Sequence, residues 1–344
     1  MEKNLSMKTK KKVFIIAEVG VNHNGSLKRA LKLIDKAVLS GADAVKFQTF
    51  KANDLVTKKA PKAEYQIRNS FNKKETQYDM LKNLEFSDIM HKECLRRCLK
   101  KKITFISSAF DIKNLLYLKK LNLRVYKIPS GEITNIPYLE ELGKFNKKVI
   151  LSTGMSNVNE IKTAINTLIK NGTSRNKISI LQCTSAYPAP AEEMNLRTIQ
   201  SFKKIFKLNV GLSDHSLGIQ APIAAVSLGA KIIEKHLTLD KKTKGPDHKA
   251  SLNPNEFKAM VKNIRIIEKM LGSKTKKVTR SEKKNIKIVR KSLVALKKIN
   301  RNEKFSKFNI TCKRPGVGLK PKYLKKIIGK KSKRNFKEDD LIKI

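Results

Sequence analysis

The chain has 344 residues, of which 76 are Lys or Arg and 29 Asp or Glu, a formal net charge of +47. Hydrophobic residues make up 40% of it, enough for a large core, which excludes a disordered chain. No apolar run approaches the roughly 20 residues of a membrane helix, and the run at residues 13–17 is too short for a signal-peptide core.

Cys94, Cys98, Cys183 and Cys312 include no Cys-x-x-Cys pair and are too few for a disulfide scaffold. The expectation is a soluble, cytoplasmic protein in a reducing compartment. The positive excess is carried by 63 Lys against only 13 Arg, and it is spread over the chain. Arg is the usual reader of base edges and Lys a flexible point charge. Lysines such as Lys32, Lys36, Lys119, Lys170, Lys203, Lys258 and Lys287 fall at spacings that place them on outer faces of amphipathic helices. A solvated lysine-rich surface is therefore favoured over a nucleic-acid partner, and there are few aromatics (6%, no Trp) for base stacking.

In chain order, short β-type runs occur at residues 13–17, 44–47, 103–106, 125–128, 149–151, 178–181, 210–212 and 232–233. Helical spacing separates them, as in Leu27, Leu31, Ile34 and Val38, or Ile161, Ile165, Leu168 and Ile169. Ser87-Asp88 and the Asn157 to Glu160 spacing mark helix starts. Eight β–α repeats point to an α/β fold, a (β/α)8 TIM barrel over residues 1–271. An open doubly wound sheet is the alternative, but the turn after the first run, Glu18-Val19-Gly20-Val21-Asn22-His23, lacks the Gly-rich phosphate pattern. A polar linker follows at 272–283, then a small Lys-rich domain at 284–344, with β-type runs at 292–296 and 308–311 and a turn at Arg314-Pro315-Gly316-Val317-Gly318. So small a domain has a marginal core of its own.

The ends of the runs carry the chemistry. In a barrel all eight carboxyl ends meet at one rim. Here they bring Glu18, Asn22 and His23; Lys46 and Gln48; Ser107 and Ser108; Lys127, Ser130 and Glu132; Ser152 and Thr153; Gln182, Thr184, Ser185 and Tyr187; Ser213, Asp214 and His215; and Glu234 and His236. Charged or metal-capable groups at most strand ends point to an enzyme. His215 and His236 can converge on a divalent cation, and two imidazoles with oxygen ligands suit Mn, Fe, Co or Zn better than Mg; the alternative is a hydrogen-bonded pair without metal. Lys46 and Lys127 lie within apolar strands and need anionic partners. Ringed by Ser108, Ser130, Ser152 and Ser213, they form a cage for phosphate and carboxylate; the bland alternative is a salt bridge to Glu18 or Glu132. Lys127 as a Schiff-base lysine is a third reading, disfavoured by the paired histidines. Glu18 and Glu132 are the carboxylates available for acid–base work. Asp247 follows on the same rim, and Arg314 would be an unremarkable surface residue on its own. His91, Cys94 and Cys98 share a helix face and read as structural, without a fourth zinc ligand.

The sequence resembles the sialic acid (nonulosonate) synthase family, the bacterial N-acetylneuraminate synthases. The resemblance runs through 17–25 (AEVGVNHNG), 46–50 (KFQTF), 127–132 (KIPSGE), 151–155 (LSTGM), 211–215 (GLSDH) and 234–236 (EKH). Lys313-Arg314-Pro315-Gly316 is similar to the signature of a C-terminal antifreeze-like (SAF) domain.

The resemblance implies condensation of phosphoenolpyruvate with an open-chain N-acetylmannosamine-type aldehyde, with phosphate released by C–O cleavage. It implies that Lys46, Ser108, Lys127, Ser130, Ser152, Ser185 and Ser213 hold phosphoenolpyruvate. His215 and His236 would bind a divalent metal, Mn2+ foremost, with Mg2+ or Co2+ as alternatives, and polarise the aldehyde. Glu18 and Glu132 would be the acid–base pair. Gln48, Tyr187, Glu234 and Asp247 would shape the sugar site, with Arg314 arriving from the partner of a domain-swapped homodimer. Two positions depart from other members, Ser108-Ala109 for Thr-Pro and Ser185 for Asn. N-acetylneuraminate synthase is the first expectation and N,N'-diacetyllegionaminate synthase, with a 2,4-diacetamido-trideoxy-mannose acceptor, the alternative. An imine aldolase and a nucleic-acid-binding protein stand further off.

Overall fold

A computed structural model describes residues 12–69 and 74–344 and divides the chain into two compact units between Gly272 and Ser273. In the first unit, eight parallel strands run in chain order: β1 (Phe14–Gly20), β2 (Ala44–Thr49), β3 (Thr104–Ala109), β4 (Val125–Ile128), β5 (Lys148–Ser152), β6 (Ile178–Cys183), β7 (Asn209–Asp214) and β8 (Ile232–His236). Neighbours pair in the order β3-β2-β1-β8-β7-β6-β5-β4, and contact between β3 and β4 closes the ring. This is the expected TIM barrel. Each short apolar run became a strand, extended by one to three residues at its polar, carboxyl end in most cases.

The helices form where the spacing predicted them. Leu27–Leu39 buries Ala30, Leu33, Ile34 and Ala37, and Val158–Lys170 buries Ile161, Ala164, Ile165 and Leu168. Asn157 caps the second through a reciprocal capping box with Glu160, which satisfies amides the helix itself cannot. The segment after β2 is longer than in the other repeats and carries three short helices, Ala52–Leu55, Glu64–Asn69 and Gln77–Lys82, ahead of Asp88–Lys101.

Alternation along each strand sorts residues between two environments. Outward positions such as Ile15, Val45, Phe105, Leu151, Ile180 and Ile233 join the large core beneath the helices. Inward positions Ile16, Ala44, Ile106, Val125, Ile150, Leu181 and Ile232 fill the barrel's lower interior as a separate apolar cluster. Two residues further along each of these strands the interior turns polar, and that layer makes the site. Among the described residues no helix is long and apolar enough to cross a membrane, and all four cysteines are free.

The second unit pairs β9 (Ser292–Ala295) antiparallel with β10 (Ile310–Lys313) over its own core of Leu293, Ile299, Phe305, Ile310, Ile327, Phe336 and Ile342. Its first element is a helix at Arg280–Val289, which begins within the stretch read from composition as linker. Thr279 and Glu282 form a capping box there, a local signal that the Lys-rich composition masked. Ser292 holds the Arg314 turn, donating to the Pro315 carbonyl at 2.6 Å and accepting from Gly318 N at 2.8 Å.

Three imidazoles lie buried away from the barrel mouth. His91 bonds the Ser87 carbonyl at 2.9 Å and the Thr49 hydroxyl at 2.7 Å, and His248 meets Thr238 and Asn24. His23 packs against Phe86 and Phe47, which stack on each other. Burial pushes all three down to about 4. The unfolded chain therefore binds more protons between about 6.5 and 4, and stability falls as pH drops through that window. The expected loss is on the order of 3 kcal/mol per imidazole by pH 4. Urea unfolding at stepped pH checks it, and His91→Gln should remove one share of the slope.

Candidate active site

The polar layer of the barrel interior consists of one residue from each strand: Glu18, Lys46, Ser108, Lys127, Ser152, Cys183, Ser213 and Glu234. Lys46 Nζ lies 3.1 Å from Glu18 Oε2 and 3.6 Å from Glu234 Oε2, and Lys127 Nζ lies 3.3 Å from Glu234 Oε1. Lys127 also donates to Ser152 Oγ at 2.7 Å, Lys46 to Ser108 Oγ at 3.5 Å, and Ser213 Oγ to Glu234 Oε1 at 2.9 Å. All of these side chains are almost wholly buried.

Glu234 thus bridges both ammonium groups, a role the sequence reading did not assign to it. Glu132 holds no lysine and instead accepts from Asn135 Nδ2 at 2.6 Å. Burial raises the Glu18 carboxyl, although Lys46 opposes the rise. Glu234 is equally buried but is held low by Lys127 and Lys46. Burial would lower Lys46, but Glu18 and Glu234 keep it above its ordinary value; Lys127 shares a single carboxylate and is lowered by burial. Burial also raises Glu132.

Above this layer the two imidazoles face each other, their rings 5.4 Å apart. His215 Nδ1 lies 2.7 Å from the Thr184 carbonyl. A carbonyl only accepts, so this nitrogen carries a proton, and Nε2 is the nitrogen left to bind or release one. His236 Nδ1 is buried with no hydrogen-bond partner, 3.8 Å from Asp247 Oδ2. Burial, followed by the neighbouring His215, drives His236 well below its ordinary value, so it stays neutral, while burial raises Asp247 to about 6. Burial would lower His215, but Cys183 and the Thr184 carbonyl raise it above its ordinary value. His215 Nε2, once free of a proton, and neutral His236 fit a divalent cation that takes its remaining ligands from water or substrate. Among the described residues no group of three or more His, Cys, Asp or Glu holds such an ion by itself. Tyr187 packs against both rings, with centroids at 4.1 Å and 5.9 Å.

Two glycines allow this crowding. Gly20 sits at φ +52° in a bulge between β1 and β2, and a Cβ there would lie 3.1 to 3.4 Å from Glu18, Gln48 and Asp247, which converge on it. A Cβ at Gly154 would lie 2.2 Å from Ser185 Oγ and 2.8 Å from Ser130 Oγ, and Gly154 N donates to Ser130 Oγ at 3.0 Å.

A cavity of about 480 Å³ takes in Glu18, Glu132, His215, His236, Lys46, Ser108, Lys127, Ser130, Ser152, Ser185, Ser213, Gln48, Tyr187, Glu234 and Asp247. Arg314 is exposed in the second unit. Asn22 and His23 are absent from the lining: Asn22 Nδ2 instead ties the Leu237 carbonyl and Ser251.

Cys183 went unread, although its parity with the inward Leu181 marks it. Burial alone would raise its thiol, but His215, 3.9 Å away, and Ser130 bring it down to about 7. The sequence reading also missed one whole side of the cavity. Leu55, Val56, Ala63, Tyr65, Gln66, Met80, Leu81 and Leu84 come from the long segment after β2, where no period announces a wall.

The fold and this mouth define a (β/α)8-barrel protein with two buried lysines beside paired imidazoles. Residues 33–276 match the NeuB family and residues 290–344 the SAF domain. An N,N'-diacetyllegionaminic acid synthase of Campylobacter jejuni is 52% identical over 97% of this chain and 99% of its own length. One from Legionella pneumophila is 43% identical over 94% and 91%. A solved structure, the N-acetylneuraminic acid synthetase of Leptospira borgpetersenii in complex with citrate, superposes with a TM-score of 0.70 at 36% identity, over 80% of this chain and 90% of that one. The chain belongs to the NeuB family, the nonulosonate (sialic acid) synthases.

Gly154→Ala pushes Ser130 and Ser185 away from the anion cage. The expected outcome is a roughly tenfold weaker affinity for inorganic phosphate by calorimetry, with an unchanged circular dichroism spectrum.

Proposed function

We propose that the protein is a nonulosonate synthase that condenses phosphoenolpyruvate with an open-chain 2,4-diacetamido-trideoxy-mannose, an N,N'-diacetyllegionaminate synthase, with N-acetylmannosamine as the second acceptor. This reverses the order expected from the sequence. Two things support the reversal. The identity to the C. jejuni legionaminic relative is 52%, against 36% to the L. borgpetersenii neuraminic synthetase. The cavity side formed by Leu55, Val56, Met80, Leu81 and Leu84 offers apolar surface, suited to a deoxy carbon and a second acetamido methyl rather than to hydroxyl groups.

The single observation that carries the reaction class is that two buried lysines and two buried imidazoles open into one cavity. Lys46 and Lys127, with Ser108, Ser130, Ser152, Ser185 and Ser213, hold the carboxylate and phosphate of phosphoenolpyruvate. Glu234 keeps both ammonium groups charged until substrate arrives. His215 and His236 would hold a divalent cation, Mn2+ first, which when bound would supply Lewis-acid polarisation of the acceptor aldehyde. Carbon 3 of phosphoenolpyruvate bonds to the aldehyde carbon, whose oxygen takes a proton. Water adds at carbon 2, the C–O bond to phosphate breaks, and as carbon 2 becomes the ketone its hydroxyl proton leaves with the phosphate. Glu18, raised by burial, retains a proton more readily than an ordinary carboxyl and supplies it; Glu132 takes one from the incoming water. Tyr187, Gln48 and Asp247 orient the sugar. The homodimer and an acyl contact from Arg314 belong to the same proposal.

Phosphate release with Mn2+ present tests it. The diacetamido sugar should give the higher kcat/KM, and release with neither sugar would sink the reading. His236→Ala should abolish turnover in a folded protein. Arg314→Ala should raise KM for the sugar and leave KM for phosphoenolpyruvate unchanged. Borohydride with pyruvate should label nothing; a trapped adduct on Lys127 would favour the imine aldolase.

A further inference from the structure

Immediately before each imidazole stands a charged residue that the reaction does not use: Asp214 before His215 and Lys235 before His236. Both point away from the cavity, toward the helices, and both are completely buried. Lys235 Nζ lies 2.6 Å from Asp214 Oδ2. At the same rung of the next three strands stand Ala17, Val45 and Phe105, all apolar. A buried ion pair is often no more stabilising than a well-packed apolar pair, so the charges at this one rung call for a local reason.

Their remaining bonds supply it. Asp214 Oδ1 accepts from Ser216 N at 2.8 Å and from Ser216 Oγ at 2.7 Å. Lys235 Nζ donates to the Ser216 carbonyl. Every one of these bonds ends on the turn 214–216, whose middle residue is His215. The His215 carbonyl is itself held by Ala189 N at 3.0 Å. The pair therefore couples β7 to β8 at the residues flanking the two imidazoles and fixes the turn that aims one of them.

We propose that the Asp214–Lys235 pair is a positioning device: it locks the 214–216 turn against β8 and so sets the spacing of His215 and His236 for a shared divalent cation. The proposal rests on the reading that these two histidines hold the ion. Outer groups that orient metal-binding histidines are worth about ten- to a hundredfold in metal affinity when removed.

Two double variants separate positioning from plain stability. Asp214→Leu/Lys235→Met keeps the branching of the first side chain and nearly the length of the second, and loses every side-chain bond to Ser216. Asp214→Asn/Lys235→Gln keeps neutral acceptors and donors for the same groups. Mn2+ affinity is read by electron paramagnetic resonance on full-length protein without substrate, beside thermal unfolding of the metal-free form. The apolar pair should bind Mn2+ at least tenfold more weakly at near wild-type unfolding temperature, and the Asn/Gln pair should recover most of that loss. Wild-type affinity in a folded apolar pair overturns the proposal, as does a loss in both variants that tracks their unfolding temperatures, or wild-type protein that binds no Mn2+. Should the apolar pair not fold, Ser216→Ala is read instead, with a threefold or larger loss expected and an unchanged affinity overturning the idea. The measurement needs no turnover, so a protein that binds Mn2+ as expected yet releases no phosphate refutes the proposed reaction and leaves the positioning role standing.

Discussion

Two ammonium groups, Lys46 and Lys127, are buried inside the barrel on apolar strands, and the rest of the site is organised around keeping them charged. An amine without a counter-charge in that environment loses its proton. Glu234 reaches both lysines, and Glu18 adds a second carboxylate at Lys46. The resulting group of two cations and two anions pairs its charges within the protein. The two carboxylates are not equivalent. Glu234, between two lysines, stays ionised, whereas Glu18, with one, is raised by burial. The asymmetry makes Glu18 the group able to hold a proton when further negative charge enters.

Barrel geometry makes this arrangement compatible with folding. The lower interior is filled by an apolar cluster that packs as an ordinary core, and the charged layer lies above it on the same strands, two residues nearer the mouth. The cost of burying charge falls on a layer whose polar groups meet across the ring. Above that layer both imidazoles line the cavity, and His236 Nδ1 is buried there without a hydrogen-bond partner. Three tiers, apolar, ionic and imidazole, follow from one alternating pattern carried around eight strands.

The net charge of +47 has little part in this design. Among the described residues four buried lysines, Lys46, Lys62, Lys127 and Lys235, are placed by specific partners, while most of the remaining basic residues lie on solvent-facing surfaces. Such a surface gives long-range attraction for a doubly anionic small molecule, screened by salt beyond about 8–10 Å. Discrimination belongs to the interior, where the solvent cannot screen it.

The amino-acid sequence by itself determined the eight strands, the helices between them and the set of strand-end residues, because periods of 2 and 3.6 are local properties that each segment carries alone. Lys46, Lys127, His215 and His236 could be picked out because a charged or imidazole side chain at the end of an apolar run is conspicuous without any partner. Cys183 was legible by the same parity and was passed over for its more polar neighbours. What only the tertiary structure decided is who faces whom. That Glu234 rather than Glu132 takes the lysines depends on distances across the ring, that Asp214 meets Lys235 depends on the register of β7 on β8, and that the segment after β2 walls the cavity depends on how an aperiodic loop folds back. Partner choice across strands far apart in sequence is a matter of three-dimensional distance, and no local period encodes it.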